Sequence, residues 1–357
     1  MLGISSLQNL KIRIGIIGAG QNTRKIHLPK LLALPDIEIM EVANRTLQSA
    51  NISAKTFNIP TVRKSWEEVA TSPDLDAIVI GTWPYLHCPA TCLALESGKH
   101  VLCEARMAMN QSEAKKMLDI SRRYPDLVAQ LVPAPFSLHA DKIISKIINR
   151  GDLGKVLYFH VDYQSAPLNI HQKTIHWRRN KMYSGMNIMT LGIIYESLLR
   201  WLPPAKWIKA EAKIFNDSTI DPDSGETVKI EIPDYLSVQI GLQEEISGTI
   251  LISEVGSHAG KPRITIFGEK GTLALDFVPE GKLYFGRRDQ THLEEVSIPT
   301  NLRGSWKVEE EFINAIRNKT PFTHTSFSTG VEYMRFTEAV YHSYRNNGAR
   351  ISVSETT

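Results

Sequence analysis

The chain has little cysteine and no metal-binding pattern of it. Its three cysteines, Cys88, Cys92 and Cys103, are odd in number and lack C-x-x-C spacing. That argues against a disulfide scaffold or a zinc site and fits free thiols in a reducing compartment, so the cytoplasm is the expected setting. No apolar run approaches the ~18 residues of a membrane helix, and no charged segment followed by an apolar stretch and a cleavage site opens the chain, so neither membrane nor export is expected. The net charge of +3 comes without any dense Lys/Arg run, which leaves no electrostatic footprint for nucleic acid. Internal repeats and low-complexity segments are also absent. What remains is a chain of 357 residues, 42% hydrophobic and 22% charged, large enough for two domains and suited to small-molecule work.

The most informative stretch runs from Lys11 to Pro29, KIRIGIIGAGQNTRKIHLP. Ile12, Ile14, Ile16 and Ile17 form the near-continuous apolar run of a parallel strand covered on both faces. A turn follows at Gly18-Ala19-Gly20, then a helix start at Gln21 and Asn22. Gly18 permits the tight turn, and Gly20 has no side chain to keep a pyrophosphate from the backbone amides beyond it. The third position of the G-x-G-x-x-G pattern falls on Thr23, so the pattern is incomplete. The flanking strand and helix supply context for an NAD or NADP site at Gly18, Gly20, Gln21 and Asn22; a strand-turn-helix without a ligand is the bland reading.

The second strand, Ile37 to Ala43, ends at Asn44-Arg45-Thr46, about 24 residues beyond Gly20, near the ribose-reading position of such folds. No carboxylate stands there. Asn44 and Thr46 can donate to a 2′-phosphate and Arg45 can pair with it, which tilts the expectation towards NADP. Leu75 to Gly81 reads as another buried strand, followed by Thr82-Trp83-Pro84-Tyr85-Leu86-His87, and His100 to Cys103 as a strand ending in Glu104-Ala105-Arg106. Ligands in such sheets bind off the carboxyl ends of the strands, so Thr82, Trp83, His87, Glu104 and Arg106 join the expected cofactor contacts. Leu127 to Val132 closes an α/β doubly wound parallel sheet, a Rossmann domain over residues 1–132.

Residues 133–357 read differently. A linking helix, His139 to Asn149, precedes Lys155 to Ser165, which alternates like a strand with one covered face. Further strands are readable at Trp207–Phe215, Thr227–Ile232, Tyr235–Leu242, Ile246–Val255, Arg263–Phe267 and Thr272–Phe277. The pattern is a largely antiparallel open sheet, α+β in character, closed by helices at Trp306–Asn318 and Thr329–Asn346. One face of such a sheet needs cover, so a homodimer or homotetramer through it is expected.

GIIGAG, then GTWPYLHCPATCLALESGKHVLCEARMAMN, resembles the Gfo/Idh/MocA family, named for glucose-fructose oxidoreductase and inositol dehydrogenase. The resemblance spans essentially the whole chain. It implies an NAD(P)-dependent oxidoreductase that exchanges hydride with a sugar, polyol or related hydroxy compound. In that family the loop usually runs T-P-x-x-x-H, and the next strand ends in E-K-P with a catalytic lysine. Here Trp83 stands in the proline position and Ala105 replaces the lysine. The segment HWRRNKMYSGMNIMTLGIIYESLLRWL keeps the family's W-R at Trp177-Arg178, expected to meet cofactor phosphate or a substrate group. Anchored on Gly192 and Trp201, however, it puts Thr190, Ile194 and Ser197 where the family has Asp, His and Asp.

Hydride transfer from an alcohol needs a base for the hydroxyl proton. Either that role has moved or it is lost. Tyr195 lies about 100° round the helix from Ile194, and Glu196 about 200°. Tyr195, Glu196 and His176 are therefore the expected acid–base residues, with His171 and Tyr163 in segments that can also reach a pocket and the Asn187 amide able to donate to a sugar-like hydroxyl. Two other readings stand beside hydride transfer: glycoside cleavage or elimination with Glu196 or Glu104 as base, and a non-catalytic dinucleotide sensor.

Overall fold

The apolar run near the start of the chain becomes a central strand. In the computed structural model, which describes residues 11–165, 175–221, 224–277 and 281–353, β1 (Ile12–Ile17) lies between β2 (Ile37–Ala43) and β4 (Ala77–Ile80). With β3 (Thr61–Val62), β5 (His100–Cys103) and β6 (Ala129–Leu131) they make a six-stranded, wholly parallel sheet of order β3-β2-β1-β4-β5-β6. Ile12, Ile14, Ile16 and Ile17 are buried, as a strand with a parallel neighbour on each side and cover on both faces requires. The strand order reverses between β1 and β4, so the loops leaving those strands part and open a crevice at their carboxyl ends.

Local chemistry starts the helices. After β1 a helical stretch opens at Gln21, passes through a π turn over Thr23–His27 and continues as α1 (Leu28–Leu32). α2 (Leu47–Phe57) is capped by Thr46, whose hydroxyl accepts from Ser49 N–H, α3 (Trp66–Ala70) by Ser65, and α5 (Gln111–Arg123) by Asn110. α4 (Pro84–Glu96) starts on a proline, whose missing N–H costs nothing in the first turn.

The chain forms two compact units. The first ends at Pro133 and also takes in Lys307–Val331; the second holds Ala134–Trp306 and resumes at Glu332. The expected division at residue 132 therefore differs in one respect, because a segment read as part of the second half returns to the first unit. Backbone and packing both hold it there: Leu131 N–H donates to Thr325 O at 3.2 Å, and a Cβ on Gly330 would come within 2.4 Å of Met107 Sδ and 2.5 Å of Leu131 Cδ1.

In the second unit α6 (Asp141–Asn149) precedes β7 (Val156–Gln164), and α7 (Lys181–Ser184) and α8 (Leu191–Leu198) follow. Then come β8 (Ala205–Lys213), β9 (Ser218–Ile220), β10 (Thr227–Lys229), β11 (Tyr235–Leu242), β12 (Ser247–Ser253), β13 (Arg263–Gly268), β14 (Gly271–Asp276), β15 (Leu283–Arg287) and β16 (Glu294–Glu295). After α9 (Val308–Asn318) and α10 (Phe327–Arg345), β17 (Ile351–Ser352) pairs with β8. The nine-stranded sheet runs β16-β15-β14-β13-β7-β12-β11-β8-β17 and is antiparallel except where β7 meets β12. The strand expected at Thr227–Ile232 lies outside it, in a separate hairpin with β9. Phe159, Val161, Ile250 and Ile252 are buried on one side of the large sheet, while Tyr158 and His160 alternate to the exposed side.

No helix among the described residues is long and apolar enough to cross a membrane. Replacing Gly330 by Val forces Met107 and Leu131 apart, and the expected result is a loss of about 1–3 kcal/mol in stability, read as a lower melting temperature; an unchanged melting curve would contradict the docking of this segment.

Candidate functional site

Gly18 sits at φ +86°, where a side chain is strained, and a Cβ there would lie 2.5 Å from Thr82 Cγ2 and 2.8 Å from Thr82 N. The residue is therefore what lets the turn after β1 touch the loop after β4. Hydrogen bonds pin the turn on both sides: Gly18 N–H donates to Ala43 O at 2.8 Å, Gly81 N–H to Ile17 O at 2.8 Å, and Ala19 N–H to Asn44 Oδ1 at 2.7 Å. Gly20 has no such internal constraint, since a Cβ on it would make only an ordinary 3.4 Å contact with Gly81 O. Its bareness leaves the backbone open to a ligand.

These loops enclose a cavity of about 550 Å³ in the first unit. Its floor is the glycine turn, its walls are Asn44, Arg45 and Ser49 on one side and Thr82, Trp83 and Leu86 on the other, and Lys64, Ser65 and Trp66 line it too. Arg24, Arg45 and Lys64 are the charged side chains among its lining residues, with no carboxylate. The Arg45 guanidinium lies 5.5 Å from the centre of the Trp83 ring. Cations, bare backbone and an aromatic wall fit a ligand that combines phosphate groups with a planar base. The residues present therefore suit a dinucleotide.

Of the expected cofactor contacts, Gly18, Gly20, Asn44, Arg45, Thr82 and Trp83 line this cavity together. Asn44 spends its carbonyl oxygen on bracing the turn, and Thr46 is a helix cap rather than a phosphate donor. Gln21 and Asn22 are exposed and do not line the cavity; the Asn22 amide donates to the Glu104 carboxylate. His87 is fully buried, with Nδ1 2.8 Å from Arg106 O and Nε2 3.1 Å from Thr82 O, and burial lowers its pKa. It clamps two strand-end loops together and does not line the cavity. Arg106 is itself buried, and Glu104 is turned towards Asn22 and a histidine described below. Trp177 and Arg178, stacked with the guanidinium 4.5 Å from the ring centre, belong to the second unit.

The acid–base roles expected of Tyr195 and Glu196 do not suit their surroundings. α8 is buried all round: Tyr195 is 1% exposed, its ring stacks on Phe336 at 3.7 Å, and its hydroxyl accepts from Ala205 N–H at 2.7 Å. Burial pushes its pKa up, away from the range a general acid needs. Glu196 is 2% exposed and tied to Arg200 Nη2 at 2.8 Å and Ala134 N–H at 2.8 Å, while Arg200 Nη1 also reaches Asp141 Oδ2 at 2.8 Å. Both side chains hold the core together. Ile194 and Ser197 are equally buried. His176 is half-buried; its Nδ1 accepts from Arg178 N–H at 3.3 Å, which places the proton of the neutral ring on Nε2, and burial and then Arg178 lower its pKa. Burial likewise raises the pKa of Tyr163, which packs against Phe136 and Phe277. His171 lies outside the described residues. Tyr195→Phe is expected to cost about 1–2 kcal/mol and Glu196→Gln about 3 kcal/mol or more in chemical denaturation, with dinucleotide affinity unchanged.

Sequence reasoning missed Lys64, Ser65 and Trp66, and a buried ionic cluster. His27 is fully buried on the helical stretch after the glycine turn, with Nε2 2.9 Å from Glu104 Oε1 and Nδ1 2.6 Å from Glu309 Oε1. Burial lowers its pKa, but the bonds to Glu104 and Glu309 outweigh that and raise it from 6.5 to about 9. The available signal was its place on the buried stripe Thr23, His27, Leu28 and Leu31. Because the folded value is the higher one, the stabilisation, about 3 kcal/mol, is complete below pH 6.5 and lost as pH rises through about 9. A falling denaturation midpoint across that window, absent in His27→Gln, is the expected outcome. Among the described residues no group of three or more His, Cys, Asp or Glu is placed to hold a metal ion.

A parallel sheet of this order with a glycine turn and a cation-lined crevice defines a dinucleotide-binding α/β protein. Residues 12–130 match the oxidoreductase family with an NAD-binding Rossmann fold, and residues 142–274 match the GFO/IDH/MocA C-terminal domain. The chain belongs to the Gfo/Idh/MocA family of NAD-binding oxidoreductases. It is 24% identical over 305 residues to an uncharacterized oxidoreductase of Synechocystis sp., covering 82% of this chain and 80% of that one. It is 27% identical over 152 residues to the D-glucoside 3-dehydrogenase of Escherichia coli, spanning 43% of each. A solved levoglucosan dehydrogenase, in complex with NADH and L-sorbose, shares the fold at a TM-score of 0.83 and 18% identity, over 97% of this chain and 100% of that one.

Proposed function

We propose that this protein transfers hydride between NADP and a secondary hydroxyl of a sugar, polyol or similar compound. The observation that carries the cofactor preference is the cavity beside the glycine turn, which gathers Arg24, Arg45 and Lys64 without a carboxylate. A carboxylate at the end of β2 would bond the ribose hydroxyls of NAD; Arg45 there pairs instead with a 2′-phosphate. Trp83 offers a face for the adenine, and the open backbone at Gly20 receives the pyrophosphate. The substrate class is supported by relatives whose names are those of a glucoside and a levoglucosan dehydrogenase.

The nicotinamide supplies the hydride acceptor when bound. This chain must supply the proton acceptor, and Ala105, Thr190 and Ile194 offer none at the family's positions. Tyr195 and Glu196 are committed to the core, so His176 is the expected acid–base residue that remains to be proposed; burial and then Arg178 lower its pKa, which favours the neutral ring.

A second copy of the chain is the proposed cover for the open face of the large sheet. Tyr158 is 47% exposed there and stacks on Phe267 at 4.3 Å. Three free, buried cysteines suit the cytoplasm as its setting.

Fluorescence titration with NADPH and NADH tests the reading. Arg45→Ala is expected to weaken NADPH about tenfold or more while changing NADH little. His176→Gln is expected to lower turnover about 100-fold or more and leave NADPH affinity intact. If neither nucleotide binds, the proposal is wrong.

A further inference from the structure

His27, Glu104 and Glu309 set two carboxylates, Glu309 buried and Glu104 partly exposed, around one fully buried imidazole next to a crevice suited to an anionic ligand. Glu104 follows β5, its N–H donating to Ile80 O at 3.0 Å, so its carboxylate stands at the same end of the sheet as the loop that carries Thr82 and Trp83. One of its oxygens accepts from Ala105 N–H at 3.1 Å; the other accepts from both His27 and Asn22, two residues beyond Gly20. We infer that His27, held from behind by Glu309, is a positioning residue for the dinucleotide: its imidazolium neutralises Glu104 and keeps Glu104 and Asn22 locked beside the glycine turn. This inference rests on the dinucleotide reading above.

The hydrogen-bond inventory favours it. An imidazolium donates from both nitrogens and satisfies Glu104 and Glu309 together, whereas a neutral ring has one N–H and turns a lone pair on the other carboxylate. Both carboxylates face the ring, and the Asn22 amide lies nearby at 3.4 Å. His87 also acts on Glu104, but burial lowers its pKa, and the cation hydrogen-bonded to Glu104 is His27. Once His27 loses its proton, Glu104 loses that charge-assisted bond close to the path of a pyrophosphate. The raised pKa of His27 keeps the competent form dominant at neutral pH.

The test is NADPH affinity of the full-length protein from about pH 7.5 to 10, with the ring titration of His27 followed in parallel by NMR of 13C-labelled histidine in the nucleotide-free protein. The affinity is expected to fall about tenfold as the His27 resonance titrates. His27→Gln is expected to bind about tenfold more weakly at pH 7.5 with a flat profile, and His27→Gln/Glu104→Gln to recover the affinity, because the charge that needed neutralising is gone. A wild-type affinity that stays constant while His27 titrates overturns the inference, as does a double variant no better than the single one. Should His27→Gln fail to fold, the wild-type profile decides alone. Absence of NADPH binding at pH 7.5 overturns the dinucleotide reading and this inference together; normal binding without pH dependence overturns only the inference.

Discussion

The first unit depends on the contact between the turn after β1 and the loop after β4. The two strands are hydrogen-bonded neighbours, yet their connections leave in opposite directions, and the space between must be both narrow enough to stay packed and open enough for a ligand. Gly18 settles that conflict by taking a left-handed backbone and letting Thr82 approach where a Cβ would otherwise stand. The bonds from Gly18 to Ala43 and from Ala19 to Asn44 then fix the turn to β2 as well. Three strand ends are thus locked to one another by two backbone bonds and the Asn44 side chain.

Charge is distributed to match. The side of the crevice formed by the ends of β2 and β3 collects Arg45 and Lys64, whereas the Glu104 carboxylate at the end of β5 is paired with His27. In a low-dielectric setting an unpaired Glu104 would be costly by itself and would also repel phosphate. The cation hydrogen-bonded to Glu104 is His27, and Glu309 on the returning segment holds that histidine in place. A segment far along the chain therefore contributes to the electrostatics of a turn near its start.

The parts of this arrangement that were legible in the sequence are the ones encoded locally. The strands announce themselves as continuous apolar runs, the glycine turn by composition, and the absence of an acid after β2 by inspection. Lys64, Ser65 and Trp66 were not legible as a wall because they belong to the connection after the two-residue strand β3, too short to carry a period. The return of Lys307–Val331 was invisible for a different reason: it depends on Gly330 fitting against Met107 and Leu131, a contact across some 200 residues of sequence. His27 hid in plain view, since a lone histidine on a buried stripe gives no sign of the carboxylates that will face it.

The helix around Tyr195 shows where pattern reasoning fails outright. Rotating a helix by 100° per residue assigns faces correctly but assumes that one of them is exposed. α8 has no exposed face, so the rotation that seemed to carry Tyr195 and Glu196 into a pocket carries them into packing and into an ion network instead. Glu196 is retained there because Arg200 needs it: the guanidinium binds Glu196, Asp141, Ser137 Oγ and Ala134 O, so one buried cation is matched by two carboxylates and two neutral acceptors. Once a carboxylate is that fully engaged, taking up a substrate proton would break the pairing that justifies its burial. The same reasoning separates the two histidines. His27 is held charged between carboxylates and is fitted to neutralise, whereas burial and the neighbouring Arg178 both disfavour the charged form of His176.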